Sequence, residues 1–257
     1  MKHLLLFLLC AWTAIGSFAQ TENWKDSIQI YISQARMLSA DAYLKLADCY
    51  HKGLGVEHDF CMMMNMLWHA DLYHEDGLVM RKYITSLPEN DADRLTYEAM
   101  MKLDNRNTEE AKVIIDRLVE TSPQAGKVLQ AIYAIEENGD TASFYRLIKE
   151  GINDGYLLAS ITLAQRYSAD RKEDAAAKVW ESIAERAPMV YSFLGEYYKE
   201  KGDMQRSIEC YRKADQWASL SSGGAEVLLE EMYRSVGKNR NKYERDRLRL
   251  IRDGLGG

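Results

Sequence analysis

The sequence predicts an all-α fold, a solenoid of stacked antiparallel helical hairpins, and three observations carry that expectation. The first is a hairpin pattern over residues 41–70. There Leu46, Ala47 and Tyr50 share one helical face, and Gly53 and Gly55 free the backbone to reverse. Beyond the turn Phe60, Met63, Met64, Leu67, Trp68 and Ala70 recur at helical spacing, so a second amphipathic helix can lie on the first. The second observation is a leucine that returns in equivalent context at Leu95, Leu129, Leu163, Leu194 and Leu229, at intervals of 34, 34, 31 and 35 residues. The third is a tyrosine four residues after such a leucine: Tyr50, Tyr133, Tyr167, Tyr198 and Tyr233. One hairpin cannot bury its own apolar face, so repeated hairpins must stack.

At the N-terminus, residues 4–15 are apolar, Lys2 precedes them, and Ser17-Phe18-Ala19 forms a small-x-small site before Gln20. Residues 1–19 therefore read as a secretory signal peptide, since crossing a bilayer takes about 20 apolar residues. Cys10 comes too early, behind large residues, to be a lipidation site. Residues 24–38 place Trp24, Ile28, Tyr31, Ala35 and Leu38 at helical intervals and predict an N-terminal capping helix. A shorter segment, 78–87, ends at Pro88, which disfavours further helix. Pro123 and Pro188 sit where the first helix of a unit should begin, a position whose amide needs no intrahelical partner. The clearest late unit joins Leu194, Gly195 and Tyr198, through a Gly202-Asp203 turn, to Ile208, Tyr211 and Ala214. The unit before it carries Leu163, Ala164, Tyr167, Ala176 and Trp180. Residues 224–252 predict an arginine-rich last pair of helices, and 254–257 a disordered tail.

Composition suits one continuous array over residues 20–253, because the chain has 3 prolines and no long Gly/Ser tract. A net charge of −6 argues against nucleic acid as a partner. The charge is uneven. Residues 234–252 hold Arg234, Lys238, Arg240, Lys242, Arg245, Arg247, Arg249 and Arg252 against Glu244 and Asp246. Such a helix either caps the last repeat or makes a weak contact with an anionic surface.

Candidate chemistry is sparse. His51, His58, His69 and His74 fall within 24 residues, together with Cys61 and close to Cys49. His69 and His74 are five apart, off a shared helical face, and no CxxC or HExxH occurs, so surface histidines and no metal are expected. Met62, Met63, Met64 and Met66 read as core filling. There is no K-T-G or G-x-S-x-G past residue 19, and no phosphate-cradling glycine loop, so neither catalysis nor a cofactor is expected. Cys49 precedes Gly53 by four residues and Cys61 follows Val56 by five, nearly matched distances from the turn. An oxidising compartment would let them bridge; the other reading is two small buried hydrophobes, which is also the reading of Cys210.

The pattern Leu46, Ala47, Tyr50, Gly53, Gly55, Val56, Asp59, Trp68, Ala70 resembles the Sel-one-like repeat, with Met62-Met63 in place of the usual Lys-Ala pair. The later hairpins resemble tetratricopeptide units. That resemblance implies a right-handed solenoid with the first helix of each unit on the concave side. It implies groove-facing side chains at Lys127, Gln165, Glu196, Lys199, Glu231 and Arg234, a set that lacks the Lys/Asn clamp for a C-terminal carboxylate. The expected function is an exported, noncatalytic scaffold, in the periplasm, on the cell surface or secreted, that binds a peptide or partner protein. Some cysteine-rich relatives are linked to β-lactams, so the alternative is a cell-envelope hydrolase or glycan-binding protein.

Overall fold

A computed structural model describes residues 24–74 and 77–216. The expected signal peptide, the 224–252 helices with Leu229 and Tyr233, the tail, and the candidates Glu231 and Arg234 lie outside the described residues. The helices are Trp24–Ala35 (α1), Ala40–Lys52 (α2), Phe60–Tyr73 (α3), Val79–Ser86 (α4), Ala92–Asp104 (α5) and Thr108–Thr121 (α6). Then come Pro123–Asn138 (α7), Thr141–Asn153 (α8), Leu157–Ala169 (α9), Glu173–Ile183 (α10), Tyr191–Glu200 (α11) and Met204–Gln216 (α12). No strand occurs among the described residues. Helices pair as neighbours, α2 with α3, α5 with α6, α7 with α8, α9 with α10 and α11 with α12, which is the stacked-hairpin solenoid the sequence predicts.

Helix starts are fixed by short acceptors that satisfy first-turn amides. Asp59 accepts from the amides of Cys61 and Met62 at 3.0 and 3.1 Å, and Asp91 from those of Asp93 and Arg94 at 3.0 and 3.1 Å. At both, a negative charge also meets the positive end of the helix dipole. Pro123 opens α7 directly, as expected. Pro188 instead begins a 3-10 turn, Pro188–Val190, that leads into α11. In the first hairpin Gly53 ends α2 at φ 66°, and the Asp59 amide donates to the Tyr50 carbonyl across the turn. Gly55 is held close to α1: an added Cβ would sit 2.6 Å from Trp24 Cβ.

Among the described residues the core forms two clusters, one around α5–α7 and a larger one through the remaining hairpins. Met100, Ile132 and Tyr156 pack against both and join them. Leu46, Leu95, Leu129 and Leu194 are fully buried repeat leucines, as predicted. Leu163 is half-buried, with Thr162 and Ala164 buried instead. The reason is the position of α9, which touches α10, α8, α7 and α3, so burial spreads around the helix rather than following one stripe. Trp68 departs from expectation too. It is 52% exposed, while Met62, Met63 and Met66 fill the core beside Phe60, Leu67 and Ala70.

The contact of α3 with α9 shows that the stack curls until its first hairpin meets later repeats. Asp59 and Arg186, 127 positions apart, close that curl with a 3.1 Å ion pair.

Candidate functional site

Among the described residues this curl leaves concavities, and two of them bring chemically distinctive side chains together. The first is an open groove between α9, α10 and α11, about 360 Å³ in volume. Gln165 and Ser168 come from α9, Glu173, Ala176, Ala177 and Trp180 from α10, and Phe193, Glu196, Tyr197 and Glu200 from α11. The small alanines set its floor back. The Phe193 ring stacks on Trp180 with centroids 5.2 Å apart, yet Phe193 remains 55% exposed. A large apolar side chain left in water beside a buried aromatic is an unfinished core. Three carboxylates, Glu173, Glu196 and Glu200, share the lining with no basic side chain among the described residues.

The groove is held in place from below. Tyr211 donates its hydroxyl proton to Glu196 Oε2 at 2.6 Å, and Tyr197 donates to Asp174 at 2.9 Å. Burial, then the Glu196 bond, pushes the Tyr211 hydroxyl above its ordinary pKa, so it stays a donor. Tyr198 lies beside Glu181, and that hydrogen bond raises its pKa to about 12.

The second concavity is a cavity of about 270 Å³ enclosed by the α2–α3 loop, α5, the α8–α9 turn, α9 and Arg186. It is polar. Asp59, His58, Asp93, Asp154 and Arg186 face it together with Cys61 and Tyr156. Burial raises the Asp59 carboxyl, against the lowering effects of the Met62 amide and Arg186. Burial also pushes the Cys61 thiol well up, with Asp59 adding to it, so Cys61 is an inert thiol rather than a nucleophile. His58 is made more basic by its hydrogen bond to Asp93, with burial opposing. By linkage, the stability this pair gives is present below the ordinary imidazole pKa and is lost as pH rises through the folded value.

The structure divides the residues singled out in the sequence. Gln165 and Glu196 meet in the groove. Lys199 stands beside it, its Nζ 3.4 Å from Glu196 Oε1. Lys127 belongs to the other end, where its Nζ pairs with Asp154, a cavity residue, at 3.1 Å. Of the two readings left open for Cys49 and Cys61, the structure carries both as buried side chains of the core. Cys61 is turned toward the cavity residues Asp59, Asp93 and Tyr156, which accounts for it as a packed group of that lining. The surface reading of the histidines holds for His58 but not for His69, which is fully buried and stacked on Tyr43 at 5.0 Å.

Asp93, Asp59 with Arg186, and the Trp180–Phe193 stack are residues that sequence reasoning passed over as site members. His51 and His58 flank the Gly53–Gly55 turn, which was a legible signal that they face each other. Asp93 is 35 residues beyond His58 and gave no such signal.

Against known families, a tetratricopeptide repeat model matches residues 190–219, which span α11 and α12. No curated protein matches the chain. The match supports a tetratricopeptide-like repeat at α11–α12, and the stacked hairpins make the described residues an all-α helical-repeat solenoid, a build consistent with a protein-interaction role. No helix among the described residues is long and apolar enough to cross a membrane.

Proposed function

We propose that the protein is an exported, noncatalytic interaction scaffold whose α9–α11 groove holds an extended peptide segment of a partner protein. The observation that carries this reading is the half-exposed Phe193 on Trp180, flanked by three carboxylates. Such a surface suits a segment with an aromatic or aliphatic anchor between lysines or arginines. Anchor burial supplies affinity, and the carboxylates supply register and salt dependence. The α2–α3 hairpin is a Sel-one-like unit leading a tetratricopeptide-like array. Export to the periplasm, cell surface or medium rests on the 1–19 sequence pattern. In this reading the basic 234–252 stretch adds contact with anionic surfaces.

The test is selection of random peptides displayed on phage against the purified chain. Enriched peptides should carry an apolar anchor between basic residues, and each of Phe193→Ser and Glu196→Gln should weaken them by about tenfold or more. Glutamine keeps an acceptor for Tyr211, so a loss there reports on charge. No enrichment, or peptides that bind Phe193→Ser undiminished, would overturn the groove as the binding site.

A further inference from the structure

The turn of the first hairpin and the start of α5 bring together two imidazoles and a buried carboxylate. His51 Nδ1 lies 2.7 Å from Asp93 Oδ2, and His58 Nε2 lies 3.0 Å from the same oxygen. One donor atom from each of the three side chains falls within 4.8 Å of the others. We propose that His51, His58 and Asp93 bind a divalent transition-metal ion of the zinc class, with an open coordination position toward the cavity lined by Cys61, Tyr156 and Arg186.

Ligand type supports that ion. Two imidazoles and one carboxylate suit zinc, whereas calcium and magnesium take oxygen. Bonds of about 2.0–2.1 Å at the tetrahedral angle put ligand atoms about 3.3 Å apart, so the two contacts to Asp93 would widen by about half an ångström or less, while the two imidazoles would draw together from their present separation of up to 4.8 Å. Two of the three groups sit on helices and the third adjoins one. His51 is on the last turn of α2, His58 immediately precedes the N-cap Asp59, and Asp93 is the second residue of α5 with its amide fixed by Asp91.

Asp91 strengthens the case. The other ring nitrogen of His51, Nε2, lies 3.7 Å from Asp91 Oδ2, within ion-pair reach but longer than a hydrogen bond, so a small turn of the ring would bring its N–H onto that carboxylate. A histidine that binds a metal through one nitrogen characteristically gives its other N–H to a carboxylate, which fixes tautomer and ring orientation. His58 and Asp93 line the cavity themselves, so a fourth ligand would enter from there. Without an ion, the same trio is a hydrogen-bonded clamp docking the first hairpin on α5, which would itself explain the buried carboxylate.

Titrating the chelator-treated full chain with zinc, followed by calorimetry, separates the two. The expected result is saturation at about one equivalent per chain, with His58→Gln and Asp93→Asn each weakening affinity by at least about tenfold. Asp91→Asn keeps the α5 cap and should weaken it by about tenfold, and His74→Gln should leave it unchanged. Circular dichroism of the metal-free variants checks folding. Should they unfold, the zinc-edge absorption spectrum of the unsubstituted chain still decides, since the site requires histidine imidazole scattering. No saturable binding, an affinity in His58→Gln and Asp93→Asn equal to that of the unsubstituted chain, or a spectrum without imidazoles would overturn the site.

Discussion

The first hairpin, α2–α3, and the last described one, α11–α12, solve the same packing problem with opposite materials. Each presents a leucine and a small residue to its partner helix: Leu46 with Ala47, and Leu194 with Gly195, all buried. In the first hairpin the partner side is filled by Met62, Met63 and Met66, unbranched chains that adapt to whatever space remains. In the last it is filled by Tyr211, a rigid ring whose hydroxyl is tied to Glu196. A Cβ on Gly195 would sit 2.7 Å from that ring. The difference teaches why one end tolerates an alanine and the other demands glycine. It also separates the surfaces: the first end closes over a polar cavity through Asp59 and Arg186, while the last leaves Phe193 in water.

The largest effects should be shared by both ends. Leu46→Ala and Leu194→Ala each delete a buried side chain from a filled core and should cost about 2–5 kcal/mol in denaturant unfolding. A loss below roughly 1 kcal/mol at either site would mean that its hairpin is not packed as described.

The next effects should split the two ends. Gly195→Ala forces a methyl into the Tyr211 ring and should cost about 1–3 kcal/mol, since the ring cannot turn aside without losing Glu196. Met63→Leu conserves volume among adaptable neighbours and should cost less than about 1.5 kcal/mol. Equal costs at the two positions would erase the contrast between rigid and adaptable packing.

Much of this was legible in the sequence, for physical reasons. Helical periodicity, the glycine turn at 53–55 and the 34-residue spacing follow from local chain geometry, so the hairpins and most of their buried leucines could be placed. Gln165 and Glu196 were named from the register that the tetratricopeptide resemblance implies, and both line the α9–α11 groove. What escaped depends on how far the stack curls. Nothing local to Asp59 points to Arg186, and nothing local to His58 points to Asp93. Trp68 was misplaced for a related reason: helical spacing marks a stripe but not its width, and three methionines already fill the core beside it. Cys49 and Cys61 are matched in distance from the turn, yet equal spacing does not by itself aim two side chains at each other, and Cys61 also lines the cavity, which no local signal showed.

The contrast between an open end and a closed end is tested most directly by hydrogen exchange on the chain with and without a groove-selected peptide. Bound peptide should slow exchange in α9, α10 and α11 around Trp180 and Phe193, and leave α2 and α3 unchanged. Protection confined to α2, α3 or the cavity, with α11 unaffected, would contradict the groove as the working surface of the protein.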